Sequence, residues 1–166
     1  MLFFEKDLPK GLDYLKLWYT FCNMGKAISP YYVYDLFSDR HNKVVLYGID
    51  HTLTDVENCP CGLIYRIHKN VTENELHVYI MFIATEYKCR KTGYASLLIN
   101  EFIDFIKEKY CSKYTNISII LDSIEPAVTF YEHFGFKWTV TETKYNDMFH
   151  IDDTNNGEHF VMVYRV

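Results

Sequence analysis

Residues 76–84 form an extended apolar run that leads into Arg90-Lys91-Thr92-Gly93-Tyr94-Ala95. After it, residues 92–110 place Tyr94, Leu98, Phe102, Phe105 and Ile106 on one side of a helix, with Asn100, Glu101, Asp104, Lys107 and Glu108 on the other. A strand turning through a small-residue loop into an amphipathic helix restricts the fold more than any other part of the chain. Such a turn leaves several backbone N–H groups unpaired at the helix N-terminus. With the helix dipole they make an anion site best suited to phosphate. Gly93 allows close backbone approach, and Ala95 keeps the next turn thin.

The remaining sequence supplies the partners of this unit. Residues 11–24 carry Leu12, Leu15, Trp18, Tyr19 and Cys22 at helical spacing. Ser29-Pro30 reads as an N-cap followed by proline at the first helical position, opening a short aromatic helix to about Phe37. Residues 43–50 and 61–69 read as two strands joined by a polar hairpin loop over 51–60, and 76–85 as a third, central strand. Residues 116–121 form a buried strand, parallel to the third if the crossover is right-handed. Glu125-Pro126 opens a helix with Ala127, Phe130, Tyr131 and Phe134 on one face, and Gly135 ends it. Residues 136–144 and 159–165 are expected as a closing antiparallel pair around an acidic, polar loop over 145–157.

With 166 residues and no repeat, low-complexity stretch or linker, the chain reads as one domain, 1–166. An apolar fraction of 49% and a charged fraction of 23% are those of a soluble globular protein, and 15 Tyr with 12 Phe predict an aromatic core. A net charge of −5 argues against nucleic-acid binding, which needs a basic footprint. There is no apolar run near the roughly 20 residues of a membrane span, and no secretory leader pattern. The five cysteines therefore read as free thiols of an intracellular protein, cytoplasmic or nuclear. Cys59-Pro60-Cys61 looks like half a metal clip, but no second pair at zinc spacing follows, so no metal is expected.

Two motifs combine at this point. Arg90-x-x-Gly93-x-Ala95 fits the pyrophosphate loop Gln/Arg-x-x-Gly-x-Gly/Ala, and residues 127–136, Ala-Val-Thr-Phe-Tyr-Glu-His-Phe-Gly-Phe, fit Ala-x-x-Phe/Leu-Tyr-x-x-x-Gly-Phe. The chain resembles the GNAT superfamily of acetyl-CoA-dependent N-acetyltransferases, sharply from Leu76 to Phe136 and architecturally elsewhere. The resemblance implies an α/β (α+β) fold: a mixed, mostly antiparallel sheet, its central parallel pair splayed around the cofactor, with helices on both faces. It implies that acetyl-CoA binds along the backbone of Ile83, Ala84 and Thr85, with the Ile83 N–H near the thioester carbonyl. Arg90, Lys91, Thr92, Gly93, Tyr94, Ala95 and Ser96 would hold the pyrophosphate, chiefly through backbone N–H groups. Tyr131 would return a proton to the departing thiolate; its other reading is a core tyrosine of an apolar helix stripe. The implied reaction is direct attack of a primary amine on the thioester, the amine being a lysine, a peptide N-terminus, a polyamine or a small amine. The alternative is a non-catalytic acyl-CoA-binding module.

Two positions depart from the family. Ile124 stands where many relatives have an Asn that bonds the pantetheine, and Tyr79 where some carry a catalytic Glu. The general base therefore stays unassigned. Glu86 is the nearest carboxylate in sequence, with Glu75, Glu142 and His159 as alternatives. Asp147, Asp152 and Asp153 in the last loop read either as a lure for a cationic acceptor or as plain surface charge. The acceptor and the oligomeric state are not written in the sequence.

Overall fold

The computed structural model describes residues 1–8, 14–26, 28–50, 53, 55–139, 144–149 and 159–166. Strands β1 (Leu2–Phe4), β2 (Asn42–Tyr47), β3 (Cys61–Asn70), β4 (Glu75–Thr85), β5 (Asn116–Ile124), β6 (Lys137–Trp138) and β7 (His159–Arg165) form one sheet in the order β1-β2-β3-β4-β5-β7-β6. The helices are α1 (Tyr14–Met24), α2 (Pro30–Ser38), α3 (Tyr94–Tyr110), α4 (Glu125–Glu132) and α5 (Lys144–Phe149). The pairs β1–β2, β2–β3, β5–β7 and β6–β7 are antiparallel, and β4–β5 is parallel. Two compact units share these elements, Met1–Arg66 with Phe82–Asp104 and Ile67–Met81 with Phe105–Val166.

In the first unit, Phe21 of α1 sits directly over Gly62 of β3. A Cβ at Gly62 would come within 2.7 Å of the Phe21 ring, so only glycine lets the helix lie this close. Phe21 also meets Phe37 of α2 edge-on at 5.3 Å and Phe82 of β4 at 6.0 Å. Tyr65 packs against Phe102 of α3 at 4.9 Å. Asn42 ties β2 to α2, donating to the Leu36 carbonyl at 2.8 Å and accepting from Arg66 at 2.8 Å. Ser29 holds the N-cap position of α2, yet its hydroxyl makes no capping bond; its carbonyl accepts from the Val33 N–H instead. The edge strand β1 was not expected from the sequence. It pairs with β2 from Leu2↔Tyr47 to Phe4↔Val45. Residues 11–13 of the expected first helix lie outside the described residues.

In the second unit, the β4–β5 ladder runs from Glu75↔Asn116 to Ile80↔Leu121 and stops. Strand β5 continues to Ile124 and pairs over those last residues with β7, from Asp122↔Val161 to Ile124↔His159. Helix α4 follows at once, with Pro126 in its first turn. It ends where Gly135 takes a φ of +93°, and the Phe134 and Phe136 N–H groups fold back onto the Tyr131 carbonyl. The expected loop over 145–157 is corrected in its first part, because residues 144–149 form α5. Tyr145 and Phe149, one helical turn apart, bury themselves against Tyr79, Ile120 and Val163. Of the expected strand over 136–144, Lys137 and Trp138 are the residues in register with β7 among the described residues, the Thr139 N–H donates to the Val161 carbonyl at 3.0 Å, and Lys144 opens α5. Residues 140–143 and 150–158, with Glu142, Asp152 and Asp153 among them, lie outside the described residues.

Candidate functional site

The end of β4 turns through Tyr87–Cys89, a short 3-10 segment, into a bent loop ahead of α3. Pro60 accepts the Glu86 N–H at 2.8 Å, and Glu86 in turn accepts the Cys89 N–H at 2.8 Å. Lys91 has a φ of +61° and Gly93 a φ of +89°, so two left-handed residues lie within three positions. Left-handed residues alternating with ordinary ones turn successive N–H groups toward one point, forming a concave anion site. Gly93 is the last residue before α3, and its carbonyl accepts the Leu97 N–H at 3.0 Å. Beyond its chain neighbours, an added Cβ at Gly93 would meet no atom of the described residues within 4 Å, so they leave the space over this helix end open.

The donors of the loop are unspent. Among the described residues, the N–H groups of Lys91, Thr92, Gly93, Tyr94, Ala95 and Ser96 have no protein acceptor. No acidic side chain occupies the first turn of α3, whereas Lys107 and Lys109 stand in its last turn. The helix dipole is thus matched by charge at its C-terminal end and left uncompensated at the loop. These residues fit a diphosphate: six donors, a bend that holds them together and open space above. Strand residues Ile83 and Thr85 are half-buried beside the buried Ala84.

Arg90 braces the loop. Its guanidinium donates to the Thr85 carbonyl at 3.2 Å and the Met24 carbonyl at 3.3 Å, and lies over the Tyr87 ring at 5.4 Å. The Thr92 hydroxyl donates to the Cys89 carbonyl. The Cys61 thiol points to the Tyr94 carbonyl at 3.4 Å. Burial pushes the Cys59 and Cys61 thiols up to about 12, so both stay protonated at neutral pH.

In the second unit, Tyr131 is buried on α4 between Phe130 and Phe136, with ring centroids at 5.2 and 6.0 Å. Burial lifts its phenol to about 12, and the hydroxyl makes no hydrogen bond to another described residue. A phenol held protonated, its hydroxyl not engaged by protein, can donate a proton. It also fills a core position.

An acetyltransferase (GNAT) domain family matches residues 48–152, more than half of the chain. The chain belongs to the GNAT acetyltransferases. No curated protein sequence matches this GNAT chain. Its fold is similar to that of GCN5 from Tetrahymena, at 16% identity and a TM-score of 0.63 over 94% of this chain and 92% of that one. A NatC complex bound to Gag peptide and CoA gives 16% identity and 0.62 over 99% and 98%. Arabidopsis thaliana Naa50, in complex with the bisubstrate analogue CoA-Ac-MVNAL, gives 20% and 0.57 over 98% and 97%. At these identities the likeness is one of fold, and the GNAT architecture expected from the two motifs is present.

The departures from the GNAT pattern have structural counterparts. Tyr79 stacks on Phe149 at 4.7 Å, so that position builds the core. Ile124 is exposed where β5 gives way to α4. Of the alternative bases, Glu75 bonds His77 at 3.1 Å and His159 pairs with Asp122 at 2.9 Å. Asp147 is exposed in the first turn of α5. Sequence reasoning missed the Met24 carbonyl as a support of the loop. No local signal could have found it, because the two residues lie 66 positions apart.

Proposed function

We propose that this GNAT chain, acting as one catalytic domain over 1–166, transfers the acetyl group of acetyl-CoA to a primary amine by direct attack. The observation that carries the reading is the row of six N–H groups from Lys91 to Ser96, at the start of α3, that have no acceptor among the described residues. The matched family and the CoA named for two of the fold neighbours support it. When bound, acetyl-CoA supplies the activated acetyl group. Lys91 to Ser96 grip its diphosphate, and the backbone of Ile83, Ala84 and Thr85 pairs with the pantetheine arm as an added strand does. The Ile83 N–H polarises the thioester carbonyl, an effect worth about 2.7–4 kcal/mol when such a donor is well placed. Tyr131 gives its proton to the departing sulfur.

The basicity of the acceptor sets the remaining barrier. A lysine-like amine must lose a proton at a cost of about 4.6 kcal/mol at pH 7, whereas an α-amine loses it for about 1 kcal/mol. Thiol release from acetyl-CoA, measured with and without added primary amines, tests the proposal. Release that rises with amine supports transfer. Thermal stabilisation by acetyl-CoA without any amine-dependent release would instead support a non-catalytic binding module.

A further inference from the structure

A cavity of about 390 Å³ opens in the first unit, walled by Tyr19, Asn23 and Met24 of α1 and by Lys26, Glu86 and Lys88. Its size is that of a small-ligand site. It adjoins the loop through two shared residues: Met24, whose carbonyl holds Arg90, and Glu86, whose carbonyl opens the 3-10 turn. The strand explains the position of Glu86. Phe82 faces α1, so alternation directs even-numbered positions at this end of β4 toward the cavity and odd-numbered Ile83 and Thr85 away from it. Glu86, one residue beyond the strand, keeps to the α1 side and lines the cavity.

We propose that this cavity receives the acceptor, a primary amine of low basicity on a molecule that also carries an anionic group, with Glu86 taking the amine's proton and Lys26 pairing with the anion. The inference rests on the acetyl-transfer reading and names the substrate class of that site. Among the described residues Glu86 is the one carboxylate of the wall, and its one ion pair is a long contact of 3.7 Å to the exposed Lys88. An incoming amine can displace Lys88 at little cost, since such exposed pairs contribute about 0–1 kcal/mol. Lys26 has no ion-pair partner among the described residues. Two ammonium groups against one carboxylate repel a polycation and favour an amine that is neutral at modest pH. At pH 7 roughly one α-amine in seven is neutral, against about one lysine in 2,500. The Glu86 carboxylate takes the amine's proton as the nitrogen–carbon bond forms and the carbon–sulfur bond breaks. The Tyr131 hydroxyl protonates the departing sulfur, and solvent restores both residues.

Four probes test this: the peptides Gly-Glu-Glu-Ala and Gly-Lys-Lys-Ala, an N-acetylated lysine peptide, and spermidine. Each is assayed by thiol release from acetyl-CoA and by calorimetric titration into protein saturated with CoA. The acidic peptide is expected to bind and react at least tenfold better than the others. Glu86→Gln should lower its turnover at least tenfold with acetyl-CoA affinity unchanged, and Lys26→Glu should invert the preference between the two free-amine peptides. A preference for spermidine or the lysine peptide overturns the inference. So does an unchanged preference in Lys26→Glu, a wild-type rate in Glu86→Gln, or no binding of any probe to protein that takes up acetyl-CoA. Failure of the wild type to bind acetyl-CoA overturns the transfer reading itself, and this inference with it.

Discussion

The Arg90 guanidinium donates to the Met24 carbonyl oxygen at 3.3 Å, fastening the loop before α3 to the last residue of α1. Arginine suits this task because its planar fork reaches two carbonyls at once, here Met24 and Thr85. Arg90→Ala is expected to lower stability by about 1 kcal/mol, since the side chain is exposed, and to weaken acetyl-CoA binding about tenfold or more. Arg90→Lys should fall short of restoring binding, because a single nitrogen does not reproduce the spaced Nε–H and Nη2–H donors that meet the two oxygens. Chemical denaturation and calorimetry measure the two effects.

Gly93 separates backbone cost from ligand cost. At a φ of +89°, Gly93→Ala should destabilise the fold by about 1–2 kcal/mol. Beyond its chain neighbours the new methyl meets no atom of the described residues, so it projects into the space above the donors. Acetyl-CoA affinity should therefore fall by more than the thermal unfolding shift accounts for. Equal losses in a variant and its ligand-free control would show that the space over the loop is not where the ligand sits.

Tyr131→Phe is expected to lower turnover about tenfold or more while leaving acetyl-CoA affinity unchanged. Burial raises the phenol to about 12, so this acid stays protonated throughout the range in which the fold is assayed. Wild-type turnover should show no fall from tyrosine ionisation between pH 7 and 10. A rate identical in mutant and wild type would reduce Tyr131 to its packing role.

His77 should make the fold acid-sensitive. It is buried, with no partner for its Nδ1 among the described residues and its Nε2 bonded to Glu75 at 3.1 Å. Burial lowers its pKa below 6.5, outweighing the Glu75 contact, while Lys144 and His68 add to the lowering. A lowered histidine pKa means that the unfolded chain binds the proton more readily than the native one. Stability is then complete above pH 6.5 and is lost as pH falls from 6.5 toward the native value. Urea unfolding at pH 7.5 and 5.5 should show a loss that is smaller in His77→Gln.

How much of this the sequence carried can be read residue by residue. Both the β4–loop–α3 unit and the turn at Gly135 were legible because long apolar runs and glycines in left-handed backbone leave local marks. Strand β1 was not, since three residues are too few for alternation to show. Helix α5 hid for a similar reason. Its two buried aromatics, Tyr145 and Phe149, are a single turn apart, and the neighbouring Asp147 made the stretch look like loop. The Arg90–Met24 bond and the cavity beside it depend on packing between distant segments, which periodicity cannot report.

Lys91 holds a left-handed backbone that lysine does not favour. The rest of the fold offsets the conformational cost of that bend. Lys91→Gly should remove the cost and leave the chain slightly more stable, while letting the row of donors wander, so that stability and grip on the diphosphate move in opposite directions.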